Sequence, residues 1–145
     1  MKTELNTVID AKSKRVPRVL IVDDDIDSVL LVERLFSGLG CETSCSLNSQ
    51  EARRTICAQK ADIIILDWCL DHADAGVILE QCRRSFDRFG GKGPRPHVVT
   101  YSSLQPAEIE IAQNPYFEFS GHWQKPMASH DMLNQILALL AKVEH

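Results

Sequence analysis

Two apolar runs in this chain each end in carboxylates. Residues 63–66 read Ile-Ile-Ile-Leu and are followed by Asp67, and residues 18–22 are followed by three aspartates, Asp23 to Asp25. Runs of this kind predict strands that are buried on both faces, as in a parallel sheet. The carboxyl ends of parallel strands meet at one edge, where open α/β sheets bind their ligands. The aspartates therefore predict an oxygen-rich site for a hard divalent cation.

Two further strand ends carry polar groups. Residues 98–103 form a run that ends in hydroxyls near Ser102, and the last predicted strand ends at Lys125. Each group alone has an ordinary structural explanation: an aspartate can cap a helix, as we expect for Asp25, and a Lys-Pro step can be a turn. We favour a functional site because four such explanations would have to coincide at one edge of the sheet.

Strand-like runs alternate five times with segments of helical spacing along the chain. This alternation predicts an α/β fold with a five-stranded parallel sheet and helices on both faces. Right-handed crossovers then place all the strand carboxyl ends on one edge. Ser49 is the expected cap of the second helix. The expected strands are 19–22, 41–46, 62–66, 98–103 and one within 117–124, and the expected helices are 26–39, 49–58, 75–86, 106–114 and 129–143.

The composition narrows the class of protein. The chain has 145 residues, of which 44% are hydrophobic, and a net charge of −4, which favours one globular domain and argues against a surface that binds nucleic acid. Its five cysteines show no zinc-like spacing and are expected to be reduced thiols. It has neither a membrane-spanning run nor the apolar core of a signal peptide. We therefore expect a cytoplasmic protein with no membrane partner, a flexible leader over residues 1–16 and one domain over residues 17–145.

The four strand-end motifs, taken in order, resemble the receiver domain of two-component response regulators. The resemblance covers the chain from about residue 16 onward and implies a flavodoxin-like (β/α)5 fold with strand order 2-1-3-4-5. The residues that carry it are Asp23, Asp24 and Asp25 after the first strand, Asp67 after the third, Ser102 after the fourth, and Lys125-Pro126 after the fifth.

The resemblance implies that Asp67 accepts a phosphoryl group from a phosphohistidine on a histidine kinase or a histidine phosphotransfer protein. The implied cofactor is Mg²⁺, held by Asp24, Asp67, the backbone carbonyl of Cys69 and waters, with Asp23 reaching the ion through water. The chain would then be a phosphoacceptor with self-phosphotransfer and autodephosphorylation activity rather than a turnover enzyme.

The resemblance also assigns roles to a lysine and a hydroxyl. Lys125 would pair with the acceptor carboxylate at rest and with a phosphoryl oxygen afterwards. The hydroxyl of Ser102 would donate a hydrogen bond to another phosphoryl oxygen. Thr100 and Ser103 are nearby alternatives, and a shift of one residue would direct Tyr101 to the site instead.

Several positions depart from the family pattern. Asp71 stands where a proline is common, in a loop that is one residue longer, so that His72 could lie near the pocket or in solvent. His122 replaces a residue that is usually aromatic. Cys69 and Leu104 occupy positions from which side chains influence the attack of water on the phosphoryl group, and neither orients water well. We therefore expect the aspartyl phosphate to hydrolyse slowly.

Two classes of function remain open from the sequence. The first is a stand-alone receiver that signals by phosphorylation-controlled binding of a downstream protein or by forming a homodimer. The binding surface would be the fourth expected helix, residues 106–114, and the fifth expected strand. Residues 115–117 could belong to that surface or to the core. The alternative is a phosphorylation-independent interaction or dimerisation module. An unrelated flavodoxin-fold enzyme is disfavoured, because no glycine-rich phosphate loop follows the first strand.

Overall fold

The computed structural model describes residues 16–71, 74–91, 93, 95–109, 111 and 115–143. Its strands are β1 (Arg18–Val22), β2 (Glu42–Ser46), β3 (Ile63–Leu66), β4 (His97–Ser102) and β5 (Glu118–Gln124). They form one sheet in the order β2-β1-β3-β4-β5, and every neighbouring pair is parallel. The predicted fold class and strand order are therefore confirmed.

Helices cover both faces of the sheet. They are α1 (Ile26–Gly38), α2 (Ser49–Cys57), α3 (Ala75–Phe89) and α4 (Ser129–Val143). Alternate residues of β3 explain the layering, since Ile63 and Ile65 pack with α1 and α4, while Ile64 and Leu66 pack with α2 and α3. All four residues of β3 are buried, as the unbroken apolar run predicted.

Local capping fixes where the helices begin and end. Asp25 caps α1 by accepting a hydrogen bond from the amide of Asp27, as expected. Beyond the end of α1, Gly40 has a φ of 90°, a conformation that favours glycine. The expected cap of α2 is wrong by one residue: the side chain of Asn48 accepts from the Glu51 amide, and Ser49 is the first residue of the helix.

The connection between β4 and β5 differs from the prediction. We expected a helix over residues 106–114, but the described residues contain only a 3-10 helix, Pro106–Glu108, after which Ile109 is extended. Glu110 and residues 112–114 lie outside the described residues. Phe117 is buried, and the ring of Tyr116 packs on Phe86 at a centroid distance of 5.1 Å. Residues 116 and 117 thus contribute to the core.

A β-bulge interrupts the pairing of β4 with β5. Val98 pairs with Phe119 but Val99 pairs with Gly121, so Ser120 is the extra residue. Gly121 has a φ of 151°, which side-chain-bearing residues rarely adopt. After the bulge, Thr100 faces the same side of the sheet as its partner His122.

The expected leader falls on residues 1–15, which lie outside the described residues, and on Val16, which is exposed. In the described part of the chain, no helix combines the length and the apolar character needed to cross a membrane.

Candidate functional site

Three aspartates meet at the carboxyl edge of the two central strands. Val22 of β1 pairs with Leu66 of β3, so the residues that follow, Asp23 and Asp67, leave the sheet side by side. One carboxylate oxygen from each of Asp23, Asp24 and Asp67 lies within 4.8 Å of the other two. Asp23 and Asp67 are buried, with exposed fractions of 2% and 8%, whereas Asp24 is exposed. The sequence prediction of an acidic cluster at this edge is confirmed.

Asp25, the third aspartate of the first run, is not one of the three clustered aspartates and caps α1 instead. Its side chain accepts hydrogen bonds from the Asp27 amide and from the Ser28 hydroxyl at 2.8 Å. The hydrogen bond from Ser28 is the main reason why the pKa of Asp25 lies below its ordinary value. Asp25 also donates its backbone amide to Asp23 Oδ1 at 2.9 Å, which orients the carboxylate of Asp23. Asp25 therefore supports the site as a helix cap.

Lys125 lies against the acidic cluster. Its Nζ donates to Asp23 Oδ2 at 2.7 Å and lies 3.6 Å from Asp67 Oδ2. The lysine follows the last residue of β5, and its backbone amide donates to the carbonyl of Ser102 at 2.8 Å. Burial would lower the pKa of Lys125, but the hydrogen bond and the charge of Asp23, followed by Asp67, give a net increase. The ammonium group thus contacts both buried aspartates and binds Asp23 more closely.

The acceptor candidate Asp67 has an unusually high proton affinity. Burial first, and then the charge of Asp23, raise its pKa to about 6, although Lys125 acts in the opposite direction. The positive charge of Lys125 does not fully offset the negative charges of the neighbouring carboxylates. Three carboxylate donors that are short of positive charge are a suitable ligand set for a hard cation such as Mg²⁺.

Ser102 is the last residue of β4 and is buried, with 1% of its surface exposed. Its hydroxyl accepts a hydrogen bond from the Leu104 amide at 3.3 Å. The neighbouring Tyr101 packs against Trp123, with ring centroids 6.5 Å apart, and its ring centroid lies 5.1 Å from the Nζ of Lys125. Ser102 is therefore the buried hydroxyl at the end of β4, whereas the hydroxyl of Ser103 is exposed.

His122 makes two contacts that the sequence did not predict. Its Nδ1 lies 2.7 Å from the hydroxyl of Thr100, and its Nε2 lies 2.9 Å from the carbonyl oxygen of Leu104. A carbonyl can only accept, so Nε2 carries a proton, and in a neutral ring Nδ1 accepts from Thr100. His122 thereby links the buried part of β4 to the loop that follows Ser102. Gly121, which permits the bulge, was the only signal for this pairing.

The loop after Asp67 is attached to α2. The carboxylate of Asp71 accepts from the Ser49 amide at 2.7 Å and from the Ser49 hydroxyl at 3.3 Å. The backbone amide of Cys69 lies 3.4 Å from Asp67 Oδ1. A Cβ at Gly76 would lie 2.9 Å from the ring of Trp68, so a glycine is needed where α3 begins. His72 lies outside the described residues, and its expected position is untested.

Comparisons by sequence give no match, either with a protein-family model or with a curated protein. Solved structures do share the fold. A CheY-like response regulator receiver domain protein from Methanospirillum hungatei JF-1 is 19% identical, with a TM-score of 0.69 over 90% of this chain and 98% of that chain. A two-component response regulator from Clostridium difficile is also 19% identical, with a TM-score of 0.69 over 89% of this chain and 99% of that chain.

The receiver domain of the Francisella response regulator 1452 is 21% identical, with a TM-score of 0.66 over 87% of this chain and 98% of that chain. These similarities cover nearly the whole length of each solved domain. They show that this chain has the fold of the CheY-like receiver domains, as its motif order led us to expect.

Proposed function

We propose that this chain is a response-regulator receiver domain in which Asp67 accepts a phosphoryl group from a phosphohistidine. The donor is a histidine kinase or a histidine phosphotransfer protein in the cytoplasm. The observation that carries the proposal is the position of Asp67, which is buried beside Asp23, within reach of Asp24 and 3.6 Å from the ammonium group of Lys125. In the transfer, a carboxylate oxygen of Asp67 forms a bond to phosphorus as the phosphorus–nitrogen bond of the donor breaks.

The aspartate cluster is suited to a Mg²⁺ ion, because its carboxylates are closely spaced and the pKa of Asp67 is raised to about 6. Asp24 and Asp67 would hold the ion directly, together with the backbone carbonyl of Cys69, and Asp23 would hold it through water. When bound, the ion would offset the negative charge of the carboxylates and of the incoming phosphoryl group. Asp23 already binds Lys125, which leaves Asp24 as the exposed donor.

Lys125 and Ser102 are proposed to stabilise the product. The ammonium group of Lys125 requires little movement to contact a phosphoryl oxygen on Asp67, since it lies 3.6 Å from Asp67 Oδ2. The Ser102 hydroxyl currently accepts from the Leu104 amide and can still donate its own proton. Donation to a phosphoryl oxygen would couple phosphorylation to the loop after β4. A change in that loop would control binding to a downstream protein or to a second copy of the chain.

The proposal is tested with a small phosphodonor such as acetyl phosphate in the presence of Mg²⁺. We expect intact-mass spectrometry to detect one added phosphoryl group in the wild type and none in Asp67→Asn. Asp27→Asn is the matched control, because Asp27 is an exposed acid outside the cluster. Removing Mg²⁺ with a chelator should abolish the reaction. If folded wild-type protein gains no phosphoryl group from the small phosphodonor in the presence of Mg²⁺, the phosphorylation-independent interaction module becomes the better assignment.

A further inference from the structure

We propose that Cys57 and Cys82 form a reversible disulfide that joins α2 to α3. The two Sγ atoms lie 2.6 Å apart. A disulfide requires a sulfur–sulfur distance of about 2.05 Å, so the two sulfur atoms have to approach each other by about a further 0.5 Å. This modification site does not involve the aspartate cluster.

Both cysteines lie where two neighbouring helices pack on the same face of the sheet. Cys57 is the last residue of α2, and Cys82 lies in the middle of α3. Cys82 belongs to the hydrophobic cluster on that face, and Cys57 packs against that cluster. Cys82 Sγ also lies 3.8 Å from the carbonyl of Arg53, one turn before Cys57. The packing of α2 on α3 therefore holds both thiols in position.

The other cysteines are placed differently. Cys41 is buried in the cluster on the opposite face of the sheet. Cys45 and Cys69 are exposed. Among the described residues, Cys57 and Cys82 are the cysteines for which a contact between thiols is observed.

The two thiols have different roles in the reaction. Cys82 is fully buried, and burial raises the pKa of its thiol above the ordinary value. Cys57 is half-buried and is the thiol that an oxidant reaches from solvent. Cys57 is therefore the attacking sulfur and Cys82 the resolving sulfur.

A peroxide is the class of oxidant that we propose. The sulfur of Cys57 attacks one peroxide oxygen, the oxygen–oxygen bond breaks, and a sulfenic acid and water are formed. The sulfur of Cys82 then attacks the sulfenic sulfur, the sulfur–oxygen bond breaks, and a second water leaves as the disulfide forms. The two thiols lose two electrons in total, and these reduce the peroxide. A dithiol reductant reverses the modification by exchange.

Peptide mapping tests this assignment. Cys69 and Cys82 lie on one tryptic peptide, residues 61–83, so the experiment uses Cys69→Ser, which changes an exposed residue. After treatment with hydrogen peroxide and alkylation of the remaining thiols, we expect residues 55–60 to be linked to residues 61–83. On a non-reducing denaturing gel the protein should migrate as a single chain, which excludes a disulfide between two chains. Dithiothreitol should release the link between the two peptides. The oxidised protein should also have a higher Tm, since the link constrains the unfolded chain.

Two controls make the result decisive. In Cys57→Ser with Cys69→Ser, the linked peptide should be absent and Cys82 should remain alkylatable after unfolding. Oxidation of the exposed Cys45 in the same samples shows that the peroxide was active. The proposal is overturned if Cys45 is oxidised while Cys57 and Cys82 both remain thiols. A link from either of them to Cys45, or an oxygenated Cys57 without a link, would overturn it equally.

Discussion

Lys125 is closer to Asp23 than to Asp67, with Nζ–Oδ2 distances of 2.7 Å and 3.6 Å. The lysine thus balances the charge of an aspartate that also accepts the amide of Asp25, and it remains near the acceptor. Under the proposed function, the site is therefore already formed before a phosphoryl group would arrive. This arrangement leads to the first prediction.

Lys125→Ala should destabilise the protein. Asp23 and Asp67 would be left in a buried position without a cation, and breaking a partly buried pair of this kind should lower the free energy of unfolding by about 1–3 kcal/mol. Urea unfolding at neutral pH without divalent cations measures the change. Lys142→Ala, at an exposed position in the last turn of α4, should change the free energy by less than about 0.5 kcal/mol. Equal effects of both variants would contradict the prediction.

The pKa of Asp67 makes stability depend on pH. Because the pKa is raised from the ordinary value of 3.8 to about 6, the folded state binds this proton more tightly than the unfolded state does. The stabilisation is complete below about pH 4 and is lost as the pH rises through about 6. A shift of this size corresponds to about 3 kcal/mol without screening, and solvent screening reduces the expected effect to about 1–2 kcal/mol.

The contribution of Asp67 is isolated by comparison with Asp67→Asn, which does not titrate. We expect the variant to become the more stable protein at pH 7 without divalent cations, and to lose that advantage towards pH 4. Denaturant unfolding at both pH values measures the difference. Parallel pH profiles for the two proteins would show that the proton affinity of Asp67 is ordinary.

Ser102→Ala should slow phosphorylation by a small phosphodonor without unfolding the protein. The loss of one hydrogen bond to a charged phosphoryl oxygen is expected to reduce the rate about tenfold or more. Ser103→Ala is the matched control, since Ser103 is the adjacent residue but is exposed. Time courses of phosphoprotein formation measure both rates. The role proposed for Ser102 fails if Ser103→Ala causes the larger decrease.

The link through His122 should contribute to stability. His122→Phe removes the contacts to Thr100 and to the Leu104 carbonyl, and it leaves the buried Thr100 hydroxyl without this partner. We expect the free energy of unfolding to fall by about 1–3 kcal/mol. In Thr100→Val that hydroxyl is absent, so His122→Phe should cost less there. A double-mutant cycle measures the coupling, and strictly additive effects would indicate that the contact contributes nothing.

The aspartyl phosphate should be long-lived. Cys69 is exposed and Leu104 is half-buried, and neither side chain orients a water molecule for attack on phosphorus. We expect Cys69→Asn to accelerate the loss of the phosphoryl group, while Cys45→Asn, at another exposed cysteine, should leave the rate unchanged. Decay of the phosphorylated protein after removal of the donor measures both. A wild-type half-life of seconds would be inconsistent with this expectation.

The fold and the acidic edge of the sheet could be predicted from the sequence, for a physical reason. Parallel pairing places the residues after β1 and β3 side by side, so two apolar runs that end in aspartates were enough to predict the cluster of Asp23, Asp24 and Asp67. The connection after β4 was less predictable. Ile109 and Ile111 both pack against the core, and their spacing of two does not favour a helix. Pro106 therefore indicated where the helix begins but not how long it is.

Other contacts between distant segments could not be predicted. The bond from Ser49 to Asp71 joins residues that are 22 positions apart, and neither residue belongs to a pattern with a fixed spacing. The contact between Thr100 and His122 depends on the extra residue in β5, which alternation alone does not reveal. The preference of Lys125 for Asp23 over Asp67 is a difference of less than 1 Å between two contacts.

The bulge at Ser120 also determines where β5 tolerates changes in length. Deleting Ser120 would restore regular pairing while Gly121 stays opposite Val99, so the lysine would keep its place beside the aspartates. An insertion after Gly121 would instead turn each later side chain to the opposite face and exchange the environments of His122 and Trp123. We therefore expect the strand to tolerate a change in length before the glycine better than after it, although deleting Ser120 would remove its 2.7 Å contact with His97.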